Sequence, residues 1–308
     1  MHRPRLLIDT DPGVDDALAI LMAHRHADVL GLCIAAGNVG LHHTTGNALK
    51  LVDTIGATTP VFAGCPTPLV RAAEDAAFVH GLDGFGDTGY TPSTRGSERE
   101  HAAQAILRLS HEHAGELVLV AMAPLTNLAL ALKLDPTLPQ RVARLVIMGG
   151  AVSGRGNTSA AAEFNIGFDP EAAHSVFSAW PRIELVDWEV CTRHAIEFAT
   201  LERWLGADNA QAHFYDAISR KTRAWSRQRG RPKLVVADAL ALAVALQPDL
   251  VTRAAERPIA IELDGTLTRG MTVVDWENRL GGAANARIVL DVDQARFEAL
   301  VASALGVG

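Results

Sequence analysis

Short apolar runs alternate with stretches of helical periodicity along most of the chain, and this alternation limits the fold more than any other feature. Apolar runs that end in turn-forming residues are typical of buried strands, and apolar side chains three and four positions apart indicate helices. The order therefore predicts an α/β fold with an open, mainly parallel sheet covered by helices on both faces. The predicted strands are 6–8, 29–36, 117–121, 145–148 and 183–186, and the predicted helices include 17–27, 47–55, 124–134 and 170–179.

The length of 308 residues suits one large α/β domain, and we expect a single domain over residues 1–308. The chain has 48% hydrophobic and 20% charged residues, as is usual for a globular protein. Residues 201–231 are predicted to form a helical excursion from this domain. Two irregular segments, 80–97 and 149–165, are long enough to suggest functional loops, although surface connections would have the same composition.

Charge and cysteine content exclude several classes of function. The formal net charge of −7 argues against a nucleic-acid partner and against an anionic membrane surface. The three cysteines, Cys33, Cys65 and Cys191, are far apart, so neither a disulfide framework nor a thiolate zinc site is expected. No apolar run approaches the length of a membrane span, and the first is too short for a signal-peptide core. A cytoplasmic protein is the expectation.

Four carboxylates surround the first predicted turn, and they are the most informative residues of the chain. Asp9 and Asp11 lie two positions apart at the end of a strand and are predicted to share a face, and Asp15 and Asp16 open the next helix. Either of the last two could simply cap that helix. Four like charges this close need compensation, and oxygen ligands suit Ca²⁺ or Mg²⁺. A metal site is therefore favoured over capping alone.

The segment DTDPGVDDA, residues 9–17, resembles the N-terminal signature of the inosine-uridine-preferring nucleoside hydrolases. The resemblance continues in order along nearly the whole chain, and it implies a Rossmann-like fold and hydrolysis of the N-glycosidic bond of ribonucleosides, with a role in nucleoside salvage. The matching segments are AAGN (35–38), HGLDGFG (80–86), APLTNLA (123–129), VIMGG (146–150), AEFNIGFDPEAAH (162–174) and RGMTVVDW (269–276).

The resemblance implies a Ca²⁺ ion bound by Asp11, Asp16, Asp238 and the main-chain carbonyl of Met122. Asp238 opens the apolar stretch DALALAVAL, so from the residues alone it would be interpreted as a helix cap. Cleavage of an N-glycosidic bond passes through an oxocarbenium-like centre. A cation that binds a water and the ribose diol would orient the sugar and lower the pKa of that water. The same resemblance makes Asp11 the general base.

Further sugar contacts are implied for residues of three other segments. Asp15 would accept a hydrogen bond from the 2′ hydroxyl, and Asn38 would hold the water or the sugar. Asn157, Glu163 and Asn165 match positions that bind the 5′ and 3′ hydroxyls, while Met148 and Phe164 match apolar walls of the ribose pocket. Asn157 is also a good turn residue, and Met148 also suits the end of a core strand.

The sequence departs from the family pattern at Ala237, where a histidine proposed to protonate the leaving base would stand. His80 and Trp225 are candidates for replacing it, the first as a proton donor and the second by stacking on a purine. A loop histidine without a role and a tryptophan beneath a basic helix end are the plainer alternatives. We predict that inosine and uridine are not equally good substrates.

Two other functions have some support in the sequence. IELDGTLT, residues 261–268, resembles the nucleophile motif of haloacid-dehalogenase-type phosphatases, but Glu262 replaces the nucleophilic aspartate and a hairpin turn at Asp264 and Gly265 explains the segment better. A non-catalytic ribonucleoside-binding protein is the second rival, suggested by the missing acid, although the retained Asp11 speaks against it. A homo-oligomer, dimer or tetramer, is expected from the resemblance.

Overall fold

The computed structural model describes residues 3–307 and is built on a central sheet of eight strands. Two short two-stranded sheets, β10 with β11 and β7 with β8, lie outside it. The strands are β1 (Arg5–Thr10), β2 (Asp28–Ile34), β3 (Val61–Ala63), β4 (Leu117–Ala121), β5 (Arg144–Met148), β6 (Ile183–Val186), β7 (Ile196–Glu197), β8 (Lys233–Leu234), β9 (Val251–Arg257), β10 (Ile259–Ile261), β11 (Thr272–Val274) and β12 (Ala286–Val292).

Helices cover both faces of this sheet and enclose two separate apolar cores. One core contains buried residues of α1, α2, α10, α11 and α12, and the other contains those of α4, α5 and α7. The helices are α1 (Val14–His26), α2 (Leu41–Ile55), α3 (Ala77–His80), α4 (Ala102–Glu112), α5 (Thr126–Leu134), α6 (Phe164–Phe168), α7 (Pro170–Ala179), α8 (Trp188–Arg193), α9 (Phe198–Leu205), α10 (Ala210–Gln228), α11 (Ala237–Leu246) and α12 (Gln294–Ala304).

The strand order β3-β2-β1-β4-β5-β6-β12-β9 confirms the predicted α/β class. All neighbours are parallel except β9, which runs antiparallel to β12 at one edge. The chain proceeds from β1 toward one edge and then returns to place β4 on the other side of β1. Ligands of open α/β sheets bind at such a reversal, beyond the carboxyl ends of the strands. The loops after β1 and β4 therefore mark the expected position of a site.

The predicted helices and strands are present, with shifts at their ends. The predicted helix 17–27 begins three residues earlier, at Val14, because the Asp16 carboxylate accepts a hydrogen bond from the backbone N–H of Gly13 and so caps the first turn. The helical excursion at 201–231 corresponds to α9 and α10. Residues 262–271 connect the antiparallel strands β10 and β11, which agrees with the hairpin interpretation of that segment. Within residues 3–307, no helix is long and apolar enough to cross a bilayer.

Candidate active site

The turn after β1 is folded around the carboxylate of Asp16. Its Oδ2 accepts hydrogen bonds from the backbone N–H of Gly13 (2.9 Å) and from Nδ2 of Asn38 (3.0 Å). Its Oδ1 accepts from the hydroxyl of Thr10. Asp16 therefore caps α1, as the simpler interpretation predicts, and it also faces Asn38 from the loop after β2. The carboxylate of Asp16 therefore has contacts beyond those of a helix cap.

Three carboxylates from two helix N-termini converge at this point. One oxygen each of Asp15, Asp16 and Asp238 lies within 4.8 Å of the others. Asp238 belongs to the first turn of α11, which packs against α1. Asp11 joins them, since its charge raises the pKa of Asp238 and its Oδ2 accepts from the backbone N–H of Asn38 at 2.6 Å. We call Asp11, Asp15, Asp16 and Asp238 the carboxylate floor.

The carboxylate floor is buried, and its charges repel one another. Asp16 is 0% exposed, Asp11 1% and Asp238 3%. Burial, followed by the neighbouring carboxylates, raises the pKa of Asp11 and Asp238 well above the usual range, and burial raises the pKa of Asp15 to about 6. Buried like charges favour either protonation or a bound cation. The donor set consists of oxygens alone, which fits a hard divalent cation.

The carbonyl of Met122, the fourth implied ligand, lies just beyond the end of β4. It accepts a hydrogen bond from Nδ2 of Asn165 at 2.8 Å, and the Met122 N–H donates to the carbonyl of Asp9. Asn165 Nδ2 also approaches the carbonyl of Met148 at 3.2 Å. Asn165 thus links the ends of β4 and β5 and fixes the Met122 carbonyl beside the site.

A cavity of about 350 Å³ opens above the carboxylate floor. Asp11 and Asp16 lie behind its surface, whereas the other predicted site residues line it. They are Asp15, Asn38, His80, Met122, Met148, Asn157, Glu163, Phe164, Asn165, Trp225 and Asp238. Side chains from eight separate segments therefore meet in one concave space of a size typical of small-ligand sites.

The irregular segment 149–165 is organised by Glu163. This carboxylate is 2% exposed and accepts backbone hydrogen bonds from Gly150 (2.9 Å) and Asn165 (3.0 Å), which makes it the N-cap of α6. Burial raises the pKa of Glu163 to about 7. Asn157 Oδ1 accepts from the N–H of Phe164, so Asn157 fulfils the turn role that its sequence context suggests while it also lines the cavity.

His80 contacts both the carboxylate floor and the cavity. Its Nδ1 accepts a hydrogen bond from the N–H of Val14 at 3.1 Å, so in the neutral ring the proton is on Nε2. Burial lowers the pKa of His80 to about 4, which keeps the ring neutral at physiological pH. Trp225 also lines the cavity, and its ring centroid is 6.2 Å from that of Phe78 and 4.0 Å from the guanidinium of Arg229.

Two parts of the site differ from the sequence-based expectation or were missed. Asp9 does not join the carboxylate floor as predicted, because its Oδ1 accepts from Nδ2 of Asn127 (2.8 Å) on α5. Asp9 lies within β1 and follows Leu7 on the side that α5 covers, whereas β1 ends at Thr10, so Asp11 belongs to the turn and alternation no longer sets its direction. The lining residues Tyr215 and Phe78 were not predicted. Tyr215, Thr222 and Ser226 are spaced so that they share one face of α10, and this spacing could have indicated that the face contributes to the site.

The fold and the site together define an α/β enzyme with a buried oxygen-ligand cluster at a sheet reversal. The sequence model of the family described as inosine-uridine preferring nucleoside hydrolase matches residues 6–299, and the chain belongs to that family. It is therefore an N-glycosyl hydrolase of the nucleoside hydrolase type.

Curated relatives and solved structures agree with this membership. The chain is 39% identical over 307 residues to the non-specific ribonucleoside hydrolase RihC of Klebsiella pneumoniae, with 98% of each chain covered. It is 34% identical to the inosine-uridine preferring nucleoside hydrolase of Crithidia fasciculata, with 98% of this chain and 97% of the relative covered. An inosine-guanosine nucleoside hydrolase structure superposes with a TM-score of 0.93 at 33% identity, covering 100% of both chains.

Proposed function

We propose that this protein hydrolyses the N-glycosidic bond of ribonucleosides, with Ca²⁺ bound at the carboxylate floor, and releases ribose and the free base. The observation that carries the proposal is the convergence of Asp11, Asp15, Asp16 and Asp238 beneath a nucleoside-sized cavity. Family membership supports the reaction class, and the oxygen-only donor set supports a hard cation. Nothing in this set favours Mg²⁺, which prefers fewer protein carboxylates and more water.

Asp11, Asp16, Asp238 and the Met122 carbonyl would hold the ion. When bound, the cation would supply positive charge that lowers the pKa of a nearby water and binds the vicinal diol of ribose. Asp11 is the proposed base, because its Oδ2 is held by the Asn38 N–H and it lies close enough to Asp16 and Asp15 for their charges to act on it. The water's proton passes to Asp11, and the water oxygen bonds to the anomeric carbon as the bond to the base breaks.

The sugar would be held by the polar side chains that surround the carboxylate floor. Asp15 would accept from the 2′ hydroxyl, Asn165 would contact the 3′ hydroxyl, and Asn157 with Glu163 would contact the 5′ hydroxyl. Met148 and Phe164 provide apolar surface for the ring. Each of these residues lines the cavity, and Glu163 and Asn165 are fixed by backbone hydrogen bonds, so the sugar subsite is organised before a ligand arrives.

Activation of the leaving base must come from groups other than Ala237. Neutral His80 offers an Nε2–H donor, and Trp225 offers a stacking surface at the outer side of the cavity. A neutral donor can stabilise the departing base by a hydrogen bond without carrying a charge into the site.

Base release from a panel of ribonucleosides tests this function. Asp11→Asn should lower kcat for inosine or uridine by about 10²- to 10⁴-fold, the range of general acid–base catalysis. EDTA should abolish activity and added Ca²⁺ should restore it. The wild-type protein should also cleave p-nitrophenyl riboside, whose leaving group needs no acid. A protein that binds these compounds but cleaves none would instead be the non-catalytic binder, an alternative that the hydrolase relatives do not favour.

We expect a cytoplasmic protein that forms a homo-oligomer, and light scattering of the purified chain would give the assembly size. We also expect unequal turnover of inosine and uridine, because Ala237 offers no proton donor to the leaving base and Trp225 offers a surface on which a purine can stack.

A further inference from the structure

Tyr215 on α10 has a buried hydroxyl group that the chain itself does not satisfy. Its side chain is 0% exposed, and its hydroxyl has no hydrogen-bond partner among residues 3–307. Buried polar groups are nearly always paired, and those that are not often mark a functional position. Tyr215 also lines the cavity above the carboxylate floor. An unpaired donor in the wall of a binding site is suited to a ligand that carries an acceptor.

The position of Tyr215 within the cavity follows from its neighbours. Asp15 accepts a hydrogen bond from the backbone N–H of Ala237, so the N-termini of α1 and α11 meet at this carboxylate. Asp15 and Asp238 are the acidic groups whose charges act on Tyr215. Tyr215 therefore lies close to Asp15 and Asp238, carboxylates of the floor that is proposed to hold the sugar.

The cavity-lining residues of α10 run outward from Tyr215 through Thr222 and Ser226 to Arg229. A nucleoside with its ribose on the carboxylate floor extends its base along this line of side chains. The inner end of the line, at Tyr215, then borders the junction of sugar and base. The acceptors at that junction are N3 of a purine and O2 of a pyrimidine. Each is attached to a ring carbon of the base that is bonded to the glycosidic nitrogen.

We propose that the Tyr215 hydroxyl donates a hydrogen bond to the leaving base at N3 of a purine or O2 of a pyrimidine, and so supports departure of the base in place of the absent histidine. This inference rests on the proposed function. The electron pair of the broken bond goes to the base nitrogen, and negative charge spreads to the acceptor that Tyr215 contacts. The phenol keeps its proton, and the released base takes one from solvent.

Retention of the proton agrees with the surroundings of the phenol. Burial, followed by the charge of Asp15, raises the pKa of Tyr215, so the neutral donor form is favoured. Thr222 is not an equivalent candidate, because its hydroxyl already donates to the carbonyl of Val79 at 3.0 Å. A donor aimed at charge that develops during the reaction stabilises the transition state more than the ground state.

The test compares Tyr215→Phe with Tyr90→Phe, which changes the other tyrosine of the chain. The Tyr90 hydroxyl donates to Asn47, and Tyr90 does not line the cavity. We expect Tyr215→Phe to lower kcat for inosine and uridine by about 10- to 100-fold, with little change in KM, as removal of one preorganised donor does. Hydrolysis of p-nitrophenyl riboside should stay within about twofold, because that leaving group needs no donor. Tyr90→Phe should not separate the two kinds of substrate.

Thermal unfolding without ligand gives a readout that does not depend on activity. Loss of an unpaired hydroxyl should leave the Tm of Tyr215→Phe unchanged or higher. A clearly lower Tm would show that the hydroxyl has a structural partner and would overturn the inference. An equal loss on all substrates, or no loss on any, would also overturn it while leaving the proposed function intact. A wild-type protein inactive on every substrate would overturn both together.

Discussion

The carboxylate floor and the outer wall of the cavity are built in different ways. The floor comes from the end of β1 and the first turns of α1 and α11, and Asp11, Asp16 and Asp238 are at most 3% exposed. The outer wall comes from α3, α10 and the residue that follows α10. Phe78 is 65% exposed, and among the interactions described for residues 3–307 the side chain of Arg229 is held only by its contact with the Trp225 ring.

The difference separates two tasks of the site. Backbone geometry and buried hydrogen bonds fix the carboxylates of the floor, so a change there should affect every substrate. Side chains of α3 and α10, only some of them exposed, form the wall, so a change there should alter the preference among bases without abolishing hydrolysis. Under the proposed function the floor acts on the sugar that all ribonucleosides share, and the wall acts on the part that differs.

The largest effect is expected at the floor, from Asp238→Asn. Loss of this carboxylate should lower kcat/KM by about 10³-fold for every nucleoside, because a metal ligand is removed. The Tm of the metal-free protein should rise, since Asp11, Asp15 and Asp16 each repel the charge of Asp238. Stabilisation by added Ca²⁺ should largely disappear, as measured by thermal unfolding with and without the ion.

Asp264→Asn is the matched control for this change, because Asp264 is an exposed carboxylate on the connection between β10 and β11. Its activity and its response to Ca²⁺ should equal those of the wild type. If Asp238→Asn kept the wild-type gain in Tm on addition of Ca²⁺, the carboxylate floor would not be the cation site.

The floor was predictable from the sequence to a greater extent than the wall. Asp11, Asp15 and Asp16 lie within six residues, so their proximity needs only a strand followed by a turn and a helix. Asp238 lies 222 residues beyond Asp16, and its own context indicates no more than a helix cap. Only the resemblance to a family placed it at the site, where α11 packs against α1.

The sequence could not reveal which way every side chain near the site points. Asp9 and Asp11 would share a face if the strand continued, yet β1 ends at Thr10, so Asp9 faces Asn127 from within the strand while Asp11 belongs to the turn that follows. Tyr215 is an ordinary aromatic residue of an amphipathic helix until the packing of α10 leaves its hydroxyl without a partner. Both depend on tertiary contacts, which periodicity does not encode.

An intermediate effect is expected at His80, which connects floor and wall. Its pKa is about 4 in the folded protein, against about 6.5 for an unperturbed histidine, so folding favours the neutral ring. Below pH 6.5 the unfolded chain binds a proton that the folded ring does not. The free energy of unfolding is therefore highest above pH 6.5 and decreases as the pH falls toward 4. In His80→Asn the side-chain oxygen can still accept from the Val14 N–H. Its free energy of unfolding should fall by about 3 kcal/mol less than that of the wild type between pH 7.5 and pH 4.

Urea unfolding at a series of pH values measures this difference. His42→Asn is the control, because His42 is exposed on α2 and its replacement should leave the wild-type pH profile unchanged. Parallel curves for the wild type and His80→Asn would mean that the ring is not buried in its neutral form.

The smallest effect is expected at the wall, from Trp225→Ala. Stacking of a base on an aromatic ring contributes about 1–3 kcal/mol to binding in nucleic-acid complexes. The guanidinium groups of Arg229, at 4.0 Å, and Arg231, at 5.0 Å, already lie over the Trp225 ring, so we expect an effect in the lower part of this range. We expect about a 10-fold rise in KM for purine nucleosides and a smaller rise for uridine and for p-nitrophenyl riboside, whose single rings offer less surface for stacking. Trp276→Ala, which removes an exposed tryptophan outside the cavity, should change none of these. Equal losses on all three substrates would place Trp225 with the floor, because a loss caused by stacking must depend on the size of the ring that leaves.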